Sequence, residues 1–546
     1  MNRRLKRLMT AVLMGAIAVA FTALFPTRIL AAPLPVTPAA SSRCEALVKL
    51  DFTRIQDAPT RLYAAKVVPA NASTPAYCHV TGYVAPQVGF DLKLPITAWN
   101  ERILGIGCGG LCGNTALFFD ALPRWRAPLE RGYVTFGTDM GHRGADSQDG
   151  TWAINNLSGQ IDFFHRATHV STLAAKAITE RFYDKPIRYS YFWGNSTGGR
   201  QAMMQAQKYP EDFDGVVALC PAIDPMGAVQ LTWYSVRLSS AFKDVANNAR
   251  KISGLSDAVT RQCDQLDGLQ DGVIQDPMAC RVDLAPLQCR PGQSGGHCLT
   301  ADEVAAVQAV YRGPQDSRGK IIAGGLLPGS ETDWIGRYLT VDGSESFYYK
   351  FMRDYWRYLA FRDPQPDFEP SNFDFDRDVR RLDWARAMHS ATNPDLRRFR
   401  DHGGKILMLQ GWGDTSVIAH GTVDYYETAT RTMGGPEATQ EFFRLFMLPG
   451  VGHCDFGGLT GADVLDGVDN LSVLEAWREQ GRAPASLTAY RLRKYAGGAY
   501  WPQKTPPDPA NVAFSRPLFP YPQVARYKGS GDPNAASSFQ PAKPAR

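Results

Sequence analysis

Apolar residues cluster in short runs that alternate with amphipathic stretches from about Arg102 to Ala222. Arg102-Ile-Leu-Gly-Ile-Gly and Gly132-Tyr-Val-Thr-Phe-Gly are brief apolar runs closed by glycines. Residues 162–182 carry apolar positions at helical spacing, and Ile187 to Trp193 is rich in aromatic and β-branched residues. Gly215-Val-Val-Ala-Leu-Cys is a further strand. Runs of four to eight apolar residues bounded by turn signals read as buried strands, and the 3.6-residue period reads as helix. Strands alternating with helices at this spacing predict a mostly parallel sheet covered on both faces. The alternation stops near Pro225 and resumes at Lys405-Ile-Leu-Met-Leu-Gln-Gly and at Phe442 to Leu448. The interval 226–395 holds Asp-Gly turns, several cysteines and an aromatic cluster from Phe347 to Trp356, and is expected to be an inserted lid. The tail from Trp501 is Pro-rich without periodicity, and is expected to wrap the surface or stay loose.

The first 32 residues follow another pattern. Arg3, Arg4, Lys6 and Arg7 precede an apolar run from Leu8 to Phe25, and small residues Ala31 and Ala32 come before a Pro-rich stretch. This is the layout of a secretory signal. The expected organisation is a signal at 1–32, a first core part at 33–225, the lid at 226–395 and a second core part at 396–546. The protein is expected to be secreted or periplasmic, with no membrane association after cleavage. The formal charge of +5 then changes meaning, because the five basic residues of the signal (Arg28 is the fifth) carry all of it. A neutral mature chain of ordinary composition excludes a disordered protein and a nucleic-acid binder. In an oxidising compartment the 10 cysteines read as disulfides rather than metal ligands, and none has CxxC spacing.

The chemistry concentrates at strand ends. The strand ending at Trp193 runs into Gly194-Asn195-Ser196-Thr197-Gly198, followed by helix-forming residues from Gly199. A G-x-S-x-G pentapeptide between strand and helix lifts the serine hydroxyl out of the sheet at the helix's positive end. Ser196 is the candidate nucleophile. Asp414 follows the strand from Lys405, and His453 follows the strand ending at Leu448, giving the order Ser, Asp, His. The amide of Thr197 and that of Gly109 or Gly110, in the loop from Gly107 to Gly113, are candidate oxyanion donors. His420 reads as a packing or surface residue, and Asp139 and His142 as loop-fixing. His165 and His169 are four apart on a helix but lack a third ligand nearby. The run Cys263-Asp264-Gln265-Leu266-Asp267-Gly268-Leu269-Gln270-Asp271-Gly272-Val273 offers hard oxygen ligands, and reads equally as a calcium loop or an acidic surface turn.

Together these segments resemble the tannase and feruloyl esterase family of α/β-hydrolases, which includes mono(2-hydroxyethyl) terephthalate hydrolases. The resemblance is carried by Trp193-Gly-Asn-Ser-Thr-Gly-Gly-Arg-Gln-Ala, Tyr209-Pro-Glu-Asp-Phe-Asp-Gly, Cys263-Asp-Gln-Leu-Asp-Gly, Gly411-Trp-Gly-Asp, Gly452-His-Cys and Pro520-Tyr-Pro-Gln-Val-Ala-Arg-Tyr. It implies an α/β-hydrolase fold with a large inserted lid, with Ser196, Asp414 and His453 as the triad. It also implies a structural Ca²⁺ in the lid, held by Asp264, Asp267 and Asp271 and the carbonyls of Leu269 and Val273. The disulfides it implies are Cys44–Cys78, Cys263–Cys280 and Cys289–Cys298. No organic cofactor is expected. Two departures stand out. The family bonds a Cys before the nucleophile to the Cys after the histidine; here that first position is Asn195, so Cys454 is left without a partner or pairs with Cys108, Cys112 or Cys220. Phe519 and Gln540 occupy the places of a further cysteine pair.

The resulting expectation is a serine carboxylesterase acting on small esters of aromatic acids, of feruloyl, galloyl or terephthaloyl type. The alternatives are a lipase or peptidase, or a binding protein that kept the fold without catalysis. Phe347, Tyr348, Phe351, Tyr355 and Trp356 are expected either to line the acyl pocket or to form lid core, and Arg353 and Arg357 to lie on the surface or to meet a substrate carboxylate.

Overall fold

In the computed structural model the described residues are 38–71, 74–115, 126–293, 295–455, 469–493 and 508–544. The expected signal at 1–32 and the segment 501–507 of the tail lie outside them. Among the described residues nine strands form one sheet in the order β1-β2-β3-β5-β4-β6-β7-β8-β9. These are β1 Thr60–Val68, β2 Tyr77–Val84, β3 Val88–Pro95, β4 Arg102–Ile106, β5 Val134–Thr138, β6 Tyr189–Asn195, β7 Gly215–Leu219, β8 Lys405–Gly411 and β9 Phe443–Leu448. The run from β5 through β4, β6, β7 and β8 to β9 is parallel throughout. Its six strands are the six expected from the apolar runs. They are buried on both faces, so their sequences read as continuous apolar stretches.

The first three strands pair antiparallel with one another and with β5. They were not anticipated. Their signal is weaker because β2 alternates buried and half-buried positions, the mark of a strand with one wet face. The helix expected at 162–182 runs as Leu157–Ile161, a π-helical turn at Asp162–Arg166, and Ala167–Tyr183.

Between β7 and β8 the chain leaves the sheet and forms the helices Met226–Ala241, Val245–Cys263, Ala301–Arg312, Phe347–Tyr358 and Asp383–His389. A capping box of Thr300 and Glu303 starts the third of these. Glu303 also forms a buried ion pair of 2.7 Å with Lys251. The insertion belongs to the same compact unit as the sheet, Val36–Arg546. Over residues 508–544 the tail is more ordered than its sequence suggested. Val512–Leu518 pairs with Leu487–Leu492, Val524–Tyr527 pairs with Phe539–Ala542, and Pro520 bridges to Phe446 of β9. Strand pairing over four to seven residues leaves little periodicity to read.

Candidate active site

β6, β8 and β9 deliver their residues to the same edge of the sheet, because their registers are aligned: Asn195 lies opposite Leu219 of β7, and Gly411 opposite Leu448. In a parallel α/β sheet the carboxyl ends of the strands form the edge where ligands bind. Ser196 follows β6 directly and takes φ 58°, ψ −120°, before the helix Thr197–Lys208 begins. A side chain at Gly194 would run into the backbone of Gly198, so the tight turn requires glycine there. Ser196 is fixed by its backbone: its N–H donates to Leu219 O at 3.0 Å, and its carbonyl accepts from Arg200 N and Ala222 N.

The structure brings Ser196, His453 and Asp414 into one row. His453 Nε2 lies 3.0 Å from Ser196 Oγ, and Nδ1 lies 3.0 Å from both Asp414 oxygens. Nδ1 faces a carboxylate, which only accepts, so the proton sits on Nδ1 and leaves Nε2 as the acceptor for the serine hydroxyl. Asp414 is buried at 2% exposure, and every approach to it is occupied. Oδ1 accepts from Ser416 N at 2.8 Å and Val417 N at 2.9 Å, and Oδ2 from Gln410 Nε2 at 3.1 Å. The loops after β8 and β9 are also joined directly, through Trp412 N to Leu448 O and Gly413 N to Val451 O, each 3.0 Å.

A disulfide between Cys220 and Cys454 adds a covalent tie. It joins the residue after β7 to the residue after His453 and supplies Cys454 with its partner. Although Asn195 replaces the cysteine of the elbow, the histidine loop is stapled one strand further along. Cys220, His453 and Cys454 come within 4.8 Å of each other by their potential ligand atoms, but the two sulfurs are bonded together and offer no metal site. The implied disulfides Cys44–Cys78, Cys263–Cys280 and Cys289–Cys298 are all formed. The fifth, Cys108–Cys112, closes the glycine loop beside the elbow. There Thr197 Oγ1 donates to Gly110 O at 2.7 Å, holding the loop against the start of the nucleophile helix. His142 supports the same loop from behind, with Nε2 2.7 Å from Leu111 O and its ring stacked on Trp152. Burial pushes its pKa down to about 4, so it is neutral and loop-fixing as expected. Asp139 accepts from Gly89 N and Gly141 N, and burial pushes it up to about 7. His165 faces Tyr209 and His169 pairs with Asp212, so the two do not share a ligand. His420 is half-buried and packs against Gly324.

Ser196 and His453 open into a cavity of about 720 Å³ whose walls include Gly109, Gly110 and Thr197 on one side and the insertion on the other. The aromatic helix divides its side chains. Phe347, Tyr348, Phe351 and Tyr355 line the cavity at helical spacing. Trp356 turns the other way, is fully buried, donates to Thr232 Oγ1 at 2.7 Å and packs on Phe373. Arg353 and Arg357 do not line the cavity; they pair with Glu345 and Glu369. Two other arginines do line it. Arg200 is buried under Phe163 and donates to the carbonyls of Phe164 and Phe163 in the π-turn, at 2.8 and 3.3 Å. Arg337 comes from the turn before the aromatic helix. Arg200 was visible within the elbow motif, but nothing in sequence spacing pointed to Arg337.

The acidic turn of the insertion is built differently from the triad. Asp264 and Asp267 are buried, and Asp264 Oδ1 and Asp267 Oδ2 have no hydrogen-bond partner. Burial raises both carboxyls, repulsion from Asp271 raises them further, and Asp267 is pushed up to about 6. Orphaned carboxylate oxygens among like charges fit a hard cation. Asp271 meets one cation already, the buried guanidinium of Arg516 from the tail.

Residues 70–542 match the family model for tannase and feruloyl esterase. The chain is 31% identical to the mono(2-hydroxyethyl) terephthalate hydrolase of Piscinibacter sakaiensis, over 88% of this chain and 87% of that protein. It is 30% identical to a probable feruloyl esterase of Arthroderma benhamiae, over 84% of this chain and 83% of the relative. Its fold matches the crystal structure of feruloyl esterase B from Aspergillus oryzae with a TM-score of 0.77 and 25% identity, covering 92% of this chain and all of the other. The strand order, the elbow and the match along nearly the whole length agree: this chain belongs to the tannase and feruloyl esterase family and is a carboxylic ester hydrolase with an α/β-hydrolase fold.

Proposed function

We propose that the protein is an exported serine esterase that hydrolyses esters of aromatic carboxylic acids through an acyl-enzyme. The observation that carries this reading is the Ser196–His453–Asp414 row at the mouth of an aromatic-lined cavity. Ser196 Oγ attacks the ester carbonyl as its proton passes to His453 Nε2. Asp414 stabilises the imidazolium, and the alcohol leaves with that proton. The amides of Thr197 and of Gly109 or Gly110 receive the oxyanion. Water activated by the same histidine then releases the acid. The helical insertion 226–395 acts as a lid that supplies the aromatic wall, which suits a flat acyl group of feruloyl, galloyl or terephthaloyl type. Five disulfides support an oxidising compartment. Ca²⁺ in the acidic turn, held by Asp264, Asp267 and Asp271 with the carbonyls of Leu269 and Val273, would neutralise the buried carboxylates and brace the insertion.

The test is a fluorophosphonate probe with Ser196→Ala as control, followed by hydrolysis of methyl ferulate, methyl gallate and mono(2-hydroxyethyl) terephthalate. Ser196-dependent labelling with turnover of at least one aromatic ester is expected. Labelling that persists in Ser196→Ala, or no turnover of any of the three, sinks the reading.

A further inference from the structure

Of the residues that follow Asp414, Thr415 and Ser416 are held by side chains of the insertion, while the Val417 carbonyl accepts from Gln410 Nε2 of β8 at 2.9 Å. Thr415 Oγ1 donates to Asp333, and the Thr415 carbonyl accepts from Tyr338 O–H. Ser416 Oγ accepts from Arg337 Nη1 at 3.2 Å and bonds to Tyr348 O–H. Arg337 closes the set: its Nε pairs with Asp333 Oδ2 at 2.7 Å, and its Nη1 reaches Tyr348 O–H at 3.0 Å. Asp333 also lies against the histidine loop, since a Cβ built at Gly452 would stand 3.7 Å from its Oδ2. The backbone these contacts fix is the backbone that holds the acid. The amide of Ser416 and that of Val417 are two of the donors to Asp414 Oδ1.

We propose that Arg337 and Asp333 form a clasp through which the insertion positions the triad acid, so that the insertion completes the catalytic row as well as covering the cavity. This rests on the serine-esterase reading above. Arg337 and Asp333 are positioning residues, acting on Asp414 through Thr415 and Ser416. The electrostatics agree with the geometry. Burial opposes the charge on Arg337, yet Tyr348, Asp333 and Asp414 around it hold the guanidinium above its ordinary pKa. Burial raises the Asp333 carboxyl, Arg337 and Thr415 pull it down, and Asp414 pushes it up again. One guanidinium is therefore paired with Asp333 and feels the charge of Asp414, and the groups facing the acid loop are Asp333, Arg337, Tyr338, Tyr348 and His453. Without the guanidinium, Asp333 and Ser416 lose the ion pair and the hydrogen bond that tie them together across the insertion and the acid loop.

The experiment is steady-state hydrolysis of methyl ferulate, from about pH 5 to 9, by wild type, Arg337→Met, Arg337→Lys and Ser416→Ala. Melting curves run alongside. In Arg337→Met, kcat is expected to fall on the order of 10²-fold, the loss a roughly 1 Å displacement of a catalytic group produces. KM should stay within about threefold. Arg337→Lys should recover part of kcat, and Ser416→Ala should lose less than Arg337→Met. A folded Arg337→Met with kcat within about twofold of wild type overturns the clasp. A loss confined to KM also overturns it, because it makes Arg337 a substrate contact. Should Arg337→Met not fold, Ser416→Ala decides alone, an unchanged kcat overturning the proposal and a lowered one supporting it. If wild type itself neither turns over an ester nor is labelled at Ser196, the esterase reading has failed instead.

Discussion

Among the buried carboxylates of the described residues, Asp414 and the pair Asp264 and Asp267 stand in opposite situations. Around Asp414 the polypeptide supplies the partners: two backbone amides, one glutamine and the imidazole of His453. In the turn of Asp264 and Asp267, two carboxylate oxygens are buried with no partner at all. A buried charge is tolerated only when paired and hydrogen-bonded. The first site is complete as folded, and its geometry serves chemistry. The second leaves two buried carboxylate oxygens open, the arrangement that the proposed Ca²⁺ would complete. The contrast separates a carboxylate that the fold itself pairs from carboxylates that the fold leaves open.

The sharpest way to break the comparison is at the complete site. Asp414→Asn keeps the shape but reverses one hydrogen bond, leaving His453 in the wrong tautomer; kcat should fall on the order of 10⁴-fold. The melting temperature should move far less than the rate does, and a parallel collapse of both would contradict the assignment. Next comes the covalent tie. Cys220 and Cys454 are separated by 234 residues, so removing the pair as Cys220→Ser/Cys454→Ser should cost about 5 kcal/mol at most in the chain-entropy picture. Chemical denaturation of the double mutant against wild type measures it, with kcat falling alongside as the histidine loop loosens.

The incomplete site is probed by chelation and pH. EDTA should lower the melting temperature, and Ca²⁺ should restore it; identical melting of stripped and reloaded protein counts against the cation. The sign with pH follows from the raised carboxyls. Asp267 is pushed from an ordinary 3.8 up to about 6, so the folded state binds more protons than the unfolded one between those values. Stripped of metal, the protein therefore loses stability as pH rises through this window, by about 2 to 3 kcal/mol from this group, and the loss persists above it. Calcium should stabilise more at pH 7 than at pH 4. The smallest effect is expected where neither situation holds. Arg353 pairs with Glu345 on the insertion's surface, away from the cavity, so Arg353→Ala should change stability by under about 1 kcal/mol and leave KM for methyl ferulate unaltered.

Much of the site was legible in one dimension because it is built at strand ends. An elbow serine needs glycines at fixed offsets, and an acid and a histidine each follow an apolar run, so Ser196, Asp414 and His453 could be named from spacing alone. The implied cysteine pairs formed as expected. The antiparallel strands β1 to β3 were missed because one face of the alternating β2 is partly wet, and the tail's short strands because four to seven residues carry too little pattern. The aromatic helix was recognised as a cluster, yet its sequence left open which rings face the cavity. Phe351 and Trp356 differ in fate through where the neighbouring helix and Phe373 stand, not through their own chemistry.

The sequence by itself determined the strands of the catalytic row, the chemistry at their ends and the acidic turn, because these are local: a strand, a tight turn and a side chain at a set offset. The tertiary structure alone decided that Cys454 bonds to Cys220, that Arg516 from the tail meets Asp271, and that Arg337 and Asp333 grip the loop of Asp414. The first joins two loops at the ends of core strands, and the other two join the insertion to the tail or to the core. Such contacts leave no period or spacing in the chain, since they depend on where separate elements come to rest against one another.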